Sequence, residues 1–232
     1  MTALALQTRT SPSFAAAAAA VSCLTETRSP LTMLGTISRF DRNSTIFNEG
    51  DDAAYSYKVI TGAVRLSKIM SDGRRQIAEF ALPGDFFGID WLEEYALTAE
   101  TLCDVTVVRF GRGRLAQLGD DNREARAEIF STLRHDLWAA QNHLVILGRQ
   151  SALERVASFL VQLIERNRSN DKTTIALPMT RQDIADYLGL TIETVCRMLA
   201  KLKQRSIIGI PNRHAIDVRN LGALRRAARP EH

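Results

Sequence analysis

The segment Thr180–Arg205, TRQDIADYLGLTIETVCRMLAKLKQR, constrains this chain more than any other. It reads as two short amphipathic helices broken by a glycine. Thr180 suits an N-cap, and Asp183 stands at the N3 position of a capping box. The spacing predicts a first helix from about Arg181 to Leu188, with Ile184, Ala185 and Leu188 on its buried face. Ala185 is small where a second helix must come close. Gly189 suits a left-handed turn residue, since a Cβ would clash there. Thr191 then caps a second helix of about twelve residues, with Ile192, Val195, Leu199 and Leu202 along its inner stripe. Such a pair is a helix-turn-helix, which lays its second helix in a DNA major groove.

Glu193, Cys196, Arg197 and Ala200 fall on the outer face of that second helix. Arginine offers two parallel donors that match guanine O6 and N7, and a carboxylate accepts from cytosine N4. Arg197 is therefore the candidate for guanine and Glu193 for a cytosine or adenine edge, with Cys196 beside them. Thr180 and Thr191 at the helix starts, and Lys201 followed by Lys203 and Arg205, are candidates for the DNA backbone. The alternative is a helical hairpin with a solvated charged face.

Charge is distributed in a way that fits the first reading. Residues 150–232 carry 14 Lys and Arg against 8 Asp and Glu, whereas residues 1–149 carry 16 against 18. Only the C-terminal part is basic, so only that part is expected to meet nucleic acid. Three cysteines, Cys23, Cys103 and Cys196, lie far apart. They make neither a disulfide framework nor a zinc site, and they fit a reducing cytoplasm. No apolar run reaches the ~18 residues that a membrane span needs. The Ala-rich run from Phe14 to Val21 is a poor signal peptide ahead of a DNA-reading segment.

Residues 1–30 are rich in Ala, Ser and Thr and are expected to be a disordered tail. Met33 is a candidate alternative start. Residues 31–119 carry short strand signals divided by Gly and Asp turns: Ser44–Phe47, Tyr57–Ile60, Ala63–Ile69, Gln76–Leu82 and Leu102–Phe110. Ser71-Asp72-Gly73 marks a hairpin turn. Many short strands at even spacing predict a sandwich or jelly-roll barrel.

From 120 to 149 the period becomes helical. Phe130, Leu133, Leu137, Ala140, Leu144 and Leu147 recur at alternating steps of three and four, a heptad seam. The helix is expected from about Asp121 to Leu147, roughly 40 Å long at 1.5 Å per residue. A parallel homodimer is the favoured reading of the seam, burial within one chain the other. Trp138 and Val145 lie on a flanking stripe expected to pack on the barrel. His135 and His143 lie off the seam and are expected in solvent.

Residues 150–232 form the third part. Ser151–Arg166 is amphipathic, with Ser151 as cap and Glu154 three residues on. Ile207–Ile210 and Ala215–Val218 flank Pro211–His214 and read as a two-stranded wing carrying Arg213 toward a phosphate. A basic helix from Leu221 to Arg229 closes the chain.

The order of barrel, long helix and winged helix-turn-helix resembles the Crp/Fnr superfamily of bacterial transcription regulators over about residues 35–225. The motifs carrying the likeness are Val64-Arg65-Leu66 after Gly62, Asp72-Gly73-Arg74-Arg75-Gln76, Gly84-Asp85 with Gly88, and Ala152-Leu153-Glu154-Arg155-Val156-Ala157. The strongest is Thr180–Ala185 followed by Gly189-Leu190-Thr191 and Glu193-Thr194-Val195. Within the superfamily the chain looks most like the FixK-type branch of the Fnr group. That likeness implies an α+β protein: an N-terminal jelly-roll barrel of the cyclic-nucleotide-binding kind, a long dimerisation helix and a C-terminal winged helix-turn-helix. It implies an activator of low-oxygen and nitrogen-fixation genes, bound as a homodimer to double-stranded DNA near TTGA–N6–TCAA. RNA polymerase is the implied partner, with Asp72 and Arg74 at the hairpin tip as its contact.

Three departures qualify the likeness. Cyclic-nucleotide-binding members place an Arg-Ser or Arg-Thr pair after the glycine motif. Here Asp90–Ala99 has no Arg and offers Glu93 and Glu94, so no cyclic nucleotide is expected. Iron–sulfur members carry clustered N-terminal cysteines, whereas Cys23 stands alone and Cys103 falls in an expected buried strand. No His precedes residue 135, so haem or a metal in the barrel is not expected either, and the cofactor expectation is none. Finally, Cys196 stands where the Fnr-type pattern has Ser. It is either a Ser-sized substitute or a redox switch, since its neighbour Arg197 favours a thiolate and oxidation would set negative charge against DNA phosphates. Three rival readings stay open. One is a small-effector regulator of the same fold. A second is a non-enzymatic dimerisation scaffold. The third, a cupin-like enzyme, needs a His-rich barrel that this chain lacks.

Overall fold

The computed structural model describes residues 35–89, 93–166 and 173–229. The expected tail at 1–30, Met33 and Cys23 lie outside them. Eight short strands open the chain: β1 (Thr36–Phe40), β2 (Thr45–Phe47), β3 (Tyr55–Thr61), β4 (Val64–Ile69), β5 (Arg75–Ala81), β6 (Phe86–Phe87), β7 (Thr98–Thr101) and β8 (Val105–Gly111). They pair antiparallel into two four-stranded sheets, ordered β1-β8-β3-β6 and β2-β7-β4-β5. Val59, Val64, Leu66, Ala81, Ala99 and Val107 are buried between them. This is the jelly-roll architecture, in which alternate residues of each strand face a shared interior.

Glycine sets one connection. Gly62 has φ +91°, and a Cβ there would stand 2.5 Å from the Asp104 carbonyl oxygen. The turn between β3 and β4 therefore packs directly on the segment between β7 and β8. That segment corrects one expectation. Leu102–Phe110 is not a single strand, because Leu102–Asp104 form a bend that leaves the sheet between β7 and β8. Cys103 sits in this bend, half-buried, and burial pushes its thiol up.

The helices are α1 (Arg112–Asp121), α2 (Arg123–Arg149), α3 (Ala152–Arg166), α4 (Arg181–Leu188), α5 (Ile192–Gln204) and α6 (Leu221–Ala227). Strand β1 and helix α1 carry no clear sequence signal, and α1 straddles the expected boundary at 119/120. Asn122 caps α2 by accepting from the backbone N–H groups of Glu124 and Ala125 at 2.9 and 3.1 Å. Ser151 and Glu154 exchange bonds at the start of α3, as their spacing suggests. The wing is β10 (Ile208–Asn212) with β11 (Ala215–Val218), and β9 (Thr174–Ala176) adds a third strand in the order β10-β11-β9.

A second apolar cluster links the barrel to the helices. It joins Ala63, Ile77, Phe80 and Leu102 of the barrel to Ile146 of α2, to α3 and to the buried faces of α4 and α5. Helix α2 turns Ala125 and Ile146 inward and leaves the heptad seam outside. Phe130, Leu137 and Leu144 are 65%, 61% and 70% exposed. Ala140 is exposed and Leu133 and Leu147 are half-buried. Two expectations about α2 are corrected. Val145 is 58% exposed and borders the seam rather than the core, while Trp138, equally exposed, shares a cavity wall with Phe80 of β5. His143 is buried at 8% exposure, stacked on Tyr187 with ring centroids 4.0 Å apart. The side chain of His135 lies outside the described part.

Candidate nucleic-acid interface

The helix-turn-helix is built from local rules. Thr180 Oγ1 accepts from the Asp183 backbone N–H at 3.1 Å, while Asp183 Oδ2 accepts from the Thr180 backbone N–H at 2.8 Å. That reciprocal box satisfies the first free N–H groups of α4. Gly189 takes the left-handed conformation, φ 61° and ψ 41°, and ends the helix by donating to the Ala185 carbonyl. Thr191 Oγ1 accepts from Thr194 N at 3.3 Å and opens α5. Val195, Leu199 and Leu202 are buried against α3 and α4, which fixes the rotation of α5 about its axis.

The opposite face is therefore presented to solvent. Glu193, Cys196, Arg197 and Ala200 are all exposed, and Lys201, Lys203 and Arg205 extend the exposed face toward the helix end. Arg197 Nη2 donates to Thr194 Oγ1 at 3.3 Å, which holds the guanidinium over the first turns. The Glu193 carboxyl is held below its usual range, first by its own backbone N–H and then by the Thr191 hydroxyl. Thr180 and Thr191 are exposed at the two helix starts. Arg213 is exposed at the wing tip, where its Nε donates to His214 Nε2 at 3.0 Å. Asp72 and Arg74 pair at 2.7 Å across the tip of the β4–β5 hairpin, away from α5. Their hydrogen bonds hold the Asp72 carboxyl below, and the Arg74 guanidinium above, their ordinary values.

Three features escape any reading of the sequence. Asp183, only 1% exposed, also accepts from two barrel arginines. Arg65 Nη1 and Arg75 Nη2 reach its Oδ1 at 2.9 and 2.8 Å. Arg75 Nε donates in addition to Asp186 at 2.8 Å, so the barrel grips the first turns of α4. Arg155 donates to three carbonyls, Leu147 at 2.8 Å, Gln150 at 2.9 Å and Leu188 at 3.0 Å. It thereby joins the C-terminal ends of α2 and α4, where free carbonyls carry negative charge. Arg181 of α4 lies close enough to Cys196 for their charges to interact, and burial lowers its own pKa. The barrel arginines and Asp183, Arg155 and Leu188, and Arg181 and Cys196 are each 15 or more residues apart, and no local pattern marks them.

The barrel interior is filled by its own aromatics. Tyr95 stacks on Phe47, which stacks on Tyr57 and Phe87, and the Tyr95 hydroxyl donates to the Tyr55 carbonyl. Glu93 and Glu94 are exposed beside it, while Asp90–Leu92 lie outside the described residues. Among the described residues no group of three or more His, Cys, Asp or Glu side chains gathers as metal ligands, and no helix is long and apolar enough to cross a membrane.

Fold and interface together define a winged helix-turn-helix DNA-binding protein whose reading head is carried by a jelly-roll barrel and a long helix. The Crp-like helix-turn-helix domain matches residues 154–227, and the cyclic nucleotide-binding domain matches residues 37–122. The nitrogen fixation regulation protein FixK of Azorhizobium caulinodans is 42% identical over 196 residues, 83% of this chain and 79% of that protein. The transcriptional activatory protein AadR of Rhodopseudomonas palustris is 40% identical over 174 residues, 74% and 73% of the two chains. The solved structure of FixK2 from Bradyrhizobium japonicum superposes with a TM-score of 0.78 at 37% identity, covering 85% of this chain and 99% of that one. The chain belongs to the Crp/Fnr family of transcription regulators.

Proposed function

We propose that this protein is a homodimeric transcription activator of the FixK type. It binds a palindrome close to TTGA–N6–TCAA and recruits RNA polymerase at promoters tied to low oxygen and nitrogen fixation. The observation that carries the DNA-reading part is the capped, core-anchored α5 that turns Glu193, Cys196 and Arg197 outward on one face. Arg197 reads guanine and Glu193 a cytosine or adenine edge. Thr180, Thr191, Lys201 and Arg213 meet the backbone. The exposed apolar seam of α2 supports the dimer, since a solvent-facing row of Phe130, Leu137 and Leu144 at heptad spacing suits an identical partner. Two recognition helices then enter successive major grooves ~34–36 Å apart. The exposed Asp72–Arg74 tip is the polymerase contact of this reading.

The same reading has the protein work in the cytoplasm without cyclic nucleotide, iron–sulfur cluster or enzymatic activity. Glu93 and Glu94 would repel a cyclic phosphate, and the stacked Phe47, Tyr57, Phe87 and Tyr95 occupy the barrel interior. The redox reading of Cys196 draws on its exposure and on Arg181, a second guanidinium close enough to interact with it. A footprint on a randomised duplex library, with and without peroxide, tests the whole. Arg197→Ala is expected to lose about 1–3 kcal/mol per half-site and to relax base choice at one position. Equal loss on every sequence would make Arg197 a phosphate contact. Peroxide is expected to weaken the parent and spare Cys196→Ser; equal loss in both ends the redox reading.

A further inference from the structure

A cavity of about 180 Å³ opens where β5, α2, α3 and the end of α4 meet, outside the barrel interior. It is larger than the ~150 Å³ space known to hold a benzene molecule in an otherwise well-packed protein. Four aromatic side chains wall it: Phe80, Trp138, Phe159 and Tyr187. Two polar groups set its chemistry. His143 is more than nine-tenths buried and lines the cavity, yet neither ring nitrogen has a hydrogen-bond partner among the described residues. Unpartnered buried nitrogens are costly and ask for a partner. Glu79, on the edge strand β5, lines the same space. Arg166 lines the same space, and its guanidinium is already engaged by the Asp85 carboxylate. Glu165, at the margin, pairs with Arg225 at 3.1 Å. Asp136 of α2 adds a further carboxylate to the lining.

We propose that this cavity is a binding site for a small organic cation, an ammonium or amidinium group on an apolar or aromatic body. Aromatic faces attract such cations, most strongly when water is excluded. A carboxylate completes the charge, and the neutral imidazole of His143 accepts one N–H. An anion would meet the carboxylates, and a neutral hydrocarbon would leave both polar groups unpartnered. The titration of the lining agrees. Burial, then the charge of Asp136, push the Glu79 carboxyl up to about 7, with Arg166 opposing. Burial, then Glu79, push the Tyr187 hydroxyl up to about 12, with Arg166 again opposing. Burial lowers His143, and the Tyr187 backbone opposes this weakly without meeting hydrogen-bond geometry. Burial leads each shift, and for Glu79 and Tyr187 a neighbouring negative charge adds to it. Binding is read on the protein alone, so it stands or falls apart from the DNA-reading function.

The test is calorimetric titration of the full chain with benzylammonium and benzamidinium, with benzyl alcohol and benzoate as neutral and anionic counterparts. Both cations are expected to bind saturably at pH 8, at least tenfold tighter than either counterpart. Affinity is expected to fall about tenfold at pH 6, where a carboxyl with a pKa near 7 is mostly protonated. Glu79→Gln should remove both the preference for the cation and the pH dependence. His143→Phe, which keeps the stacked ring and removes its nitrogens, should weaken the cations several-fold. Benzyl alcohol binding as tightly as benzylammonium, benzoate binding better, cation affinity unchanged in both variants, or no binding of either cation up to millimolar concentration would each overturn the proposal.

Discussion

Asp183 joins a helix cap to an interdomain ion pair, and its removal should cost more than either role alone. Its Oδ2 accepts from the Thr180 backbone N–H at 2.8 Å and from the Thr180 hydroxyl at 2.7 Å. Its Oδ1 accepts from Arg65 at 2.9 Å and Arg75 at 2.8 Å. Loss of a helix cap costs ~1 kcal/mol. Removing one partner of a buried ion pair costs ~3–5 kcal/mol, because the other charge is stranded. Here the stranding is incomplete. Arg65 keeps Glu100 at 3.1 Å, Arg75 keeps Asp186 at 2.7 Å, and the two side chains are 19% and 24% exposed. We therefore expect Asp183→Ala to lose about 4–5 kcal/mol, the lower half of the summed range. Urea denaturation at fixed protein concentration, followed by circular dichroism, reads this directly. A double-mutant cycle of Asp183→Asn with Arg75→Met should give a coupling of about 1–3 kcal/mol. A loss near ~1 kcal/mol, the level of a cap, together with zero coupling would refute the interdomain grip.

Leu144→Glu should abolish self-association while moving the stability of the single chain by less than ~0.5 kcal/mol, since the side chain is 70% exposed; sedimentation equilibrium and denaturation separate the two effects. Glu79 makes stability fall with rising pH. Its folded pKa of about 7 lies above the ordinary 4.5, so the folded state holds the proton longer, and the contribution is whole below about 4.5 and lost as pH rises through 7. The difference amounts to at most about 3 kcal/mol, and Glu79→Gln should flatten this part of a stability–pH profile; an unchanged slope would show the group titrating normally. Arg155→Lys should cost about 1–3 kcal/mol, because an ammonium cannot reach the three carbonyls the guanidinium serves. On duplexes with altered half-site spacing the variant should discriminate less than the parent, and an unaltered preference would show that Arg155 does not set that distance.

What the sequence disclosed was what depends on neighbours in the chain. The α4–turn–α5 unit was readable because a Thr–Asp box, a left-handed glycine and a 3.6-residue apolar stripe are all local requirements. The β4–β5 hairpin was readable from Ser71-Asp72-Gly73 and the wing from its two flanking strands. The heptad seam was also visible, although periodicity could not tell an outward stripe from an inward one at Trp138, Val145 and His143. Val145 and His143 were misjudged because they border the seam, and which border meets the core depends on where α3 and α4 pack. Cys103 was misplaced for a similar reason, since the bend at Leu102–Asp104 is imposed by the Gly62 turn some forty residues earlier in the chain. The barrel arginines, Arg155 and the cavity were beyond reach, because each is made by residues brought together only by the fold.

These contacts make α4 the element through which the two ends of the molecule meet. At its N-terminus Asp183 is held by β4 and β5 of the barrel. At its C-terminus the Leu188 carbonyl is held by Arg155, which also holds α2, and Tyr187 stacks on His143 of α2. Helix α5 packs on α4 through Val195 and Leu199, so its outer face inherits whatever position α4 takes. In the proposed dimer the seam on α2 would lie on the twofold axis, and Arg155 and His143 lie in or beside the last turns of the same helix. In the proposed dimer the distance between two recognition faces depends on these charged and aromatic contacts together with the apolar cluster that joins the barrel, α2 and α3 to α4 and α5. The charged contacts are directional, and Glu79 interacts electrostatically with Tyr187, the ring that stacks on His143.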